Sequence, residues 1–465
     1  MKSLDETTAR TALAQHAWPG ALRTLMDRLR AGGHQAYLVG GTVRDVLLGR
    51  ADDGDRFDVA TDLVPEAVVG RFARVEPIGI AHGTVLVLDG GLEVECTTFR
   101  REGGYPDARH PERVEFTHDV REDLARRDLT VNAMAFDPGS GVLVDPHGGL
   151  ADLARRVLRA VGDPVERFRE DALRPVRAAR FAATLEMELE PATRAALGRT
   201  RDRAAQVAVE RVRIELERLM TAPRPSVGFE LLREAGLLEL WLPELTAGYA
   251  VPQNRYHAYD VYEHGLHTCD AAPADKPVVR WAALLHDVGK PATRVERGGE
   301  GTFYNHQFVG AELADRALER LRFPLAERAR IVHLVREHMF DYRRAWSDAA
   351  LRRWLRRVGE DAVADLFDLR IADALGNGLR QGFPGYLEEM RERIEALLAE
   401  SATLHVKDLA IGGREVMDVL GIAPGPRVRE TLEALLEEVL DRPERNTREH
   451  LVERLTRWRE HAGGA

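Results

Sequence analysis

Two groups of residues in this 465-residue chain could do chemistry by their types and spacing. The first starts at Gly40-Gly41-Thr42-Val43-Arg44-Asp45, where a short apolar run meets an amphipathic one. Paired glycines let a backbone approach phosphates closely, and the helix start behind them favours anions. Arg44 adds a direct phosphate grip; a plain tight turn explains the glycines as well. Asp58 follows within Phe57-Asp58-Val59-Ala60-Thr61, with Asp52, Asp53 and Asp55 just before it. Clustered carboxylates suit Mg²⁺, a hard cation that prefers oxygen ligands, although a solvated acidic loop has the same composition. Arg126–Ala133 is a third dense patch, and Glu170-Asp171-Ala172-Leu173-Arg174 a fourth. On a helix Asp171 and Arg174 share a face, and Arg177 and Arg180 continue the row. An acceptor beside a donor matches the Watson–Crick edges of cytosine and adenine and opposes those of uracil and guanine. Such a pair is worth ~1–3 kcal/mol of discrimination.

The second group is spread over the middle third: His264, His286-Asp287, His306, His338 and Asp373. Adjacent His and Asp offer one nitrogen and one oxygen ligand, and residues on neighbouring helices could complete a divalent site. Ala282–Lys290 reads as a helix carrying the His-Asp pair.

Alternating apolar and polar elements must position the first group. Ala36–Val39 and Phe57–Thr61 read as strands, and residues 21–32 and Val43–Leu48 as helices. Val85–Leu88 and Leu92–Phe99 form a hairpin through Asp89-Gly90-Gly91. Beyond Arg155 the strand signal stops and amphipathic helices run nearly to the end. The reading is therefore α+β, with four segments: a head at 1–155, a helical neck at 156–225, a helical body at 226–400 and a helical tail at 401–465. The length fits about three domains by the usual size prior.

Composition narrows the classes. Hydrophobic residues make up 44% and charged residues 31%, a globular mixture. No apolar run reaches the ~18 residues of a membrane span. The start of the chain does not read as a signal peptide. Two cysteines fit a reduced, cytoplasmic setting. A net charge of −10 argues against a general nucleic-acid coat, though not against a local basic groove.

The ordered motifs resemble those of the class II template-independent nucleotidyltransferases, the CCA-adding and poly(A) polymerase family. They comprise Leu38–Arg50, Asp58–Thr61, Arg126–Ala133, Gly162-Asp163-Pro164 with Arg167-Phe168, Glu170–Arg174 and Arg177–Phe181, and cover roughly residues 36–220. The resemblance implies a palm related to polymerase β, followed by helical domains. It implies Mg²⁺-dependent transfer of CMP and AMP from CTP and ATP to a tRNA 3′-hydroxyl. Carried over by position, Gly41 and Arg44 hold the triphosphate and Asp58 binds metal. Arg127 and Asp128 contact the ribose, Asp171 and Arg174 read the base, and Arg177 and Arg180 hold phosphates. The alternatives are an A-adding or poly(A)-adding enzyme of the same fold, or an HD phosphohydrolase whose nucleotidyltransferase half is impaired. The set His264, His286, Asp287, His306, His338 and Asp373 resembles the HD phosphohydrolases. That implies a divalent metal and hydrolysis of phosphomonoesters or cyclic phosphates; a decayed scaffold that binds tRNA is the other reading. The tail resembles the family's C-terminal segment, which implies tRNA binding.

Four places depart from the pattern or qualify it. The family's metal pair is Asp-x-Asp, but Arg56 stands two before Asp58. A bulge could re-aim Asp55 to complete the pair; without it the first ligand is missing. Glu95, on the next strand, is either a third catalytic carboxylate or a surface glutamate. Pro175 means that the helix starts near Ala172 or that the base-reading face is bent. The loop motif Gly103–Pro111 is intact in length and type, which argues against an enzyme adding only C.

Overall fold

In the computed structural model, residues 4–50, 54–104, 112–255, 257–297, 300–379, 385–399 and 405–462 are described. Asp52, Asp53, residues 105–111 of the loop motif and the final three residues lie outside them. Two compact units divide the chain: Met1–Thr246 with Arg316–Pro324, and Ala247–Asp315 with Leu325–Ala465.

The first unit is built on a seven-stranded sheet. Its strands are β1 (Ala36–Val39), β2 (Arg56–Thr61), β3 (Val75–Gly79), β4 (Thr84–Asp89), β5 (Leu92–Thr98), β8 (Ala135–Asp137) and β9 (Val142–Val144), in the order β3-β4-β5-β2-β1-β8-β9. The remaining pair, β6 (Arg100–Gly103) and β7 (Arg113–Phe116), forms a separate antiparallel ribbon at the base of the loop motif. Within the seven-stranded sheet only β2 and β5 pair in parallel. The β4–β5 hairpin turns at Gly90 (φ 58°) and Gly91 (φ 82°), the positive angles its two-residue turn requires. Val39, Ala60, Phe99, Leu124 and Ala135 form the core under the sheet.

The helices that carry the site are α1 (Gly41–Leu47), α2 (Val120–Ala125), α3 (Pro164–Glu170), α4 (Arg174–Leu185) and α5 (Val209–Met220). Pro175 sits in the first turn of α4, where its missing N–H costs nothing. Of the two readings of Pro175, a helix start is the one observed, at Arg174 and so close to Ala172, and the one face expected for Asp171 and Arg174 is corrected to two helices. Asp171 caps α3 in an extended conformation, and Arg174 opens α4. A second correction concerns strands after residue 155. Val157–Leu158 pairs with Glu188–Leu189, and Val295–Arg297 with Glu300–Thr302.

The second unit is helical apart from that last pair. Its site is carried by α6 (Val261–Ala271), α7 (Pro277–Leu285), α8 (His306–Arg320), α9 (Leu325–Glu337) and α10 (Val363–Gly376). Gly376 lets α6 and α10 touch: a Cβ there would lie 2.5 Å from the Thr268 nitrogen. The helix expected over Ala282–Lys290 ends at Leu285. His286 caps it, and Asp287 lies in the following turn. Together the two units bear out the α+β class: a mixed sheet with helices, then helices.

Candidate active site and a second candidate metal centre

The turn from β1 into α1 brings backbone, carboxylate and guanidinium together. Gly40 has φ 63°, and a Cβ there would lie 2.8 Å from Arg127 Nη1 and 3.4 Å from Asp58 Oδ2. Thr42 Oγ1 accepts the Asp58 N–H at 2.9 Å, tying α1 to β2. Asp58 is the register partner of Glu95 on β5, so two carboxylates lie side by side. Burial pushes both carboxyls up, and the Asp58 charge raises Glu95 further; Arg127 and Arg44 oppose this at Asp58. Two crowded carboxylates form an all-oxygen donor pair, which fits Mg²⁺.

The bulge expected at Asp55 is absent. β2 and β5 pair without a break from Arg56↔Glu93 to Thr61↔Thr98. Arg56 thus occupies the position two before Asp58 and pairs with Glu93 at 2.8 Å. Asp55 is exposed ahead of β2 and does not line the cavity over Asp58.

That cavity, of about 690 Å³, holds most of the positions singled out in the sequence. Gly41, Arg44, Asp58, Glu95, Arg127, Asp128, Asp171, Arg174, Arg177 and Arg180 all line it. Its size suits a nucleotide-sized ligand. Arg44 forks onto Asp45 at 2.9 and 2.8 Å and reaches Asn132 Oδ1 at 2.6 Å. Arg44, Arg177 and Arg180 surround the Phe181 ring at 5.1, 5.5 and 3.8 Å, a platform that packs three like charges around one face-rich side chain. Arg127 Nε is buried with no hydrogen-bond partner among the described residues. Asp128 accepts from Arg177 at 3.0 and 2.7 Å and from Asn132 at 3.0 Å. Burial would raise the Asp128 carboxyl; Arg177 and Asn132 outweigh it and hold it well below the usual range.

The two base-reading candidates are engaged within the protein. Asp171 accepts from Arg211 Nη2 at 3.2 and 3.1 Å and from the Leu173 N–H at 3.1 Å. Arg174 donates to Glu170 Oε2 at 2.5 Å and to the carbonyls of Arg167 and Arg126. Arg211 and Arg218 were not singled out from the sequence. They lie seven apart on α5, so they share the helix face that lines the cavity, a signal the periodicity held.

In the second unit six side chains converge. His264, His286 and Asp373 form one group of candidate ligands, and Asp287, His306 and His338 another. His264 Nε2 lies 3.2 Å from His286 Nε2 and 3.1 Å from Asp373 Oδ1. His306 Nε2 lies 3.3 Å from His338 Nε2. Asp287 faces both groups: Oδ2 is 3.2 Å from His286 Nε2, and Oδ1 is 3.3 Å from His306 Nε2. Each imidazole has its Nδ1 against a backbone carbonyl: Gly376, Ala283, Phe303 and Val335 respectively. Those bonds select the tautomer that leaves Nε2 free to ligate. Lys290 Nζ sits 2.6 Å from Asp287 Oδ2 and donates to Gln253 at 2.6 Å. Burial pushes His338 down to about 3, keeping it neutral, as a ligand must be. Four Nε2 atoms and two carboxylates make a nitrogen and oxygen donor set that would suit divalent metal.

Comparison with known proteins decides the family. Residues 36–159 match the poly A polymerase head domain, 186–248 the probable RNA and SrmB-binding site of polymerase A, and 255–378 the HD domain. The chain is 38% identical to an A-adding tRNA nucleotidyltransferase of Deinococcus radiodurans over 86% of its own length and 91% of the relative's. It is 33% identical to a CCA-adding enzyme of Geobacillus stearothermophilus, covering 92% and 94% of the two chains. The chain belongs to the class II tRNA nucleotidyltransferase family. As a class II tRNA nucleotidyltransferase it has a polymerase head followed by an HD domain. Its fold is similar to that of the Bacillus stearothermophilus CCA-adding enzyme solved with CTP, with TM-score 0.73, 29% identity and 96% and 98% coverage. Among the described residues of this nucleotidyltransferase no helix is long and apolar enough to cross a membrane.

Proposed function

We propose that this enzyme adds C-C-A to tRNA 3′ ends in a Mg²⁺-dependent transfer, taking CMP from CTP and AMP from ATP and releasing pyrophosphate. The observation that carries this reading is one cavity lined at once by paired carboxylates, phosphate-sized arginines and the Asp171 and Arg174 pair. Asp58 and Glu95 would hold the Mg²⁺; bound there, it would acidify the acceptor hydroxyl and offset charge on the phosphates. Arg44, Arg177 and Arg180 bind the triphosphate beside the Gly40-Gly41 backbone. Arg127 and Asp128 set the ribose, and Asp171 with Arg174 reads the base. The division into head, neck, body and tail is proposed as the division of labour, with the tail on the tRNA. A cytoplasmic setting is part of this proposal, in keeping with a tRNA substrate and with only two cysteines in the chain.

In the second unit the reading is hydrolysis of phosphomonoesters or 2′,3′-cyclic phosphates at damaged tRNA ends. His264, His286 and Asp373 would hold one divalent ion and Asp287, His306 and His338 a second. A water activated between them is the chemistry they would supply. Lys290 orients Asp287 and adds a cation at the phosphate.

Incorporation on three tRNA transcripts tests the transfer: ending before C-C-A, ending after both C residues, and complete. With Mg²⁺, CTP and ATP, ordered growth of the first to a single C-C-A end supports the proposal. The identity with the Deinococcus A-adding protein favours a second reading, A addition alone. Growth only of the second transcript would establish it.

A further inference from the structure

Arg56 stands where the family pattern has a carboxylate, and nothing in the proposed transfer uses it. It projects from β2 on the same face as Asp58, two residues away, and Glu93 and Glu95 repeat that spacing on β5. Its side chain is 78% exposed, and Glu93 Oε2 accepts from its Nε at 2.8 Å. That bond fixes the guanidinium at one edge.

A second cavity, of about 480 Å³, begins at Asp58 and Glu95, with Arg56, Glu93, His16 and Trp18 among the residues of its wall. Asp58 and Glu95 also line the first cavity, but Asp171 and Arg174 do not line this one. Two substrates must meet at those carboxylates: a nucleoside triphosphate and the 3′-hydroxyl of an RNA. The first cavity has the base-reading and triphosphate groups. The second has instead an exposed cation and, in the same wall, the partly exposed His16 ring, held edge-on at 4.4 Å by the buried Trp18, a pairing suited to single-strand RNA.

We propose that Arg56, oriented by Glu93, is an acceptor-positioning residue that binds a backbone phosphate near the 3′ end of the RNA. The carboxylate lost at this position is thus exchanged for a cation serving the other substrate. The proposal rests on the nucleotidyl-transfer reading. Pyrophosphate offers the same phosphate chemistry, so the test separates it from RNA.

The full chain is assayed with a tRNA transcript ending before C-C-A, CTP, ATP and Mg²⁺. Wild type tests the transfer itself: absence of growth there refutes that reading and not the Arg56 assignment alone. Given wild-type growth, Arg56→Gln and Arg56→Ala are expected to raise the KM for the transcript about tenfold, with the KM for CTP within twofold. Arg56→Lys recovers most of the loss, and Glu93→Gln gives a smaller loss. The slope of log binding constant against log salt is expected to fall by about 0.7, one single-strand phosphate contact. An unchanged transcript KM and salt slope overturns the proposal. So does an increase confined to the KM for CTP or to the inhibition constant for pyrophosphate. Circular-dichroism melting confirms that each variant is folded.

Discussion

Arg211 has no counterpart among the motifs that announced the site, yet it holds Asp171, the acceptor of the proposed base-reading pair. Its Nη2 bridges both oxygens of Asp171, so the carboxylate faces the cavity in a fixed orientation. An acceptor that can rotate discriminates poorly, because a bidentate match needs both partners in plane. Arg211→Ala is expected to lower the preference for CTP over UTP about tenfold or more, with a smaller fall in total incorporation. Competition assays with paired nucleotides check it. Asp58 and Glu95 make a second residue-scale prediction. Burial raises both carboxyls, so protons compete with the metal at higher pH than at ordinary carboxylates. The Mg²⁺ concentration for half-maximal addition should therefore rise as pH falls, beginning above the usual carboxylate range. Mg²⁺ titrations at a series of pH values read this directly. The sign for stability is the reverse of a salt bridge: charged Asp58 is disfavoured in the folded state, so Asp58→Asn should raise the Tm at neutral pH in metal-free buffer.

At the scale of elements, the turn between β1 and α1 decides whether a phosphate can approach. Gly40 lies in the left-handed region of φ, and a side chain there would press on Arg127. Gly40→Ala costs about 1–2 kcal/mol from the backbone alone, and the contact adds to it. The expected result is a lower Tm and a KM for CTP raised more than tenfold, measured by thermal melting and initial rates. The break between α3 and α4 matters equally. Splitting the helix at Asp171–Leu173, just ahead of Pro175, turns Asp171 towards α5 while Arg174 ties back to Glu170 and to the carbonyls of Arg167 and Arg126.

At the scale of the whole molecule, the two sites belong to different compact units, and each is complete within its own. Substitutions should therefore separate them. Asp58→Ala is expected to abolish nucleotide addition and leave hydrolysis of a 2′,3′-cyclic phosphate intact; His286→Ala should do the reverse. Loss of both activities in either variant would refute the two-site arrangement. Metal content adds a readout independent of activity. Elemental analysis after dialysis should find two tightly held divalent ions per chain, and about one in either His306→Ala or Asp287→Ala.

The α+β class, the hairpin at Gly90-Gly91, and most of the charged residues that line the first cavity were legible in the chain alone. The reason is physical: a glycine turn, period-2 strands and an ordered series of Arg and Asp are local signals. The His and Asp set of the second unit was equally legible as types and order. Tertiary structure decided what local signals cannot carry. The unbroken β2–β5 register excluded the bulge at Asp55 and left Arg56 beside Asp58, because register depends on a partner strand 37 residues away. The partner of Asp171 lies 40 residues on, at Arg211, and only packing of α5 brings it there. The grouping of six ligands into two triads, with Asp287 of the second also facing His286 of the first, needed the fold as well, since sequence order does not say which oxygen faces which imidazole.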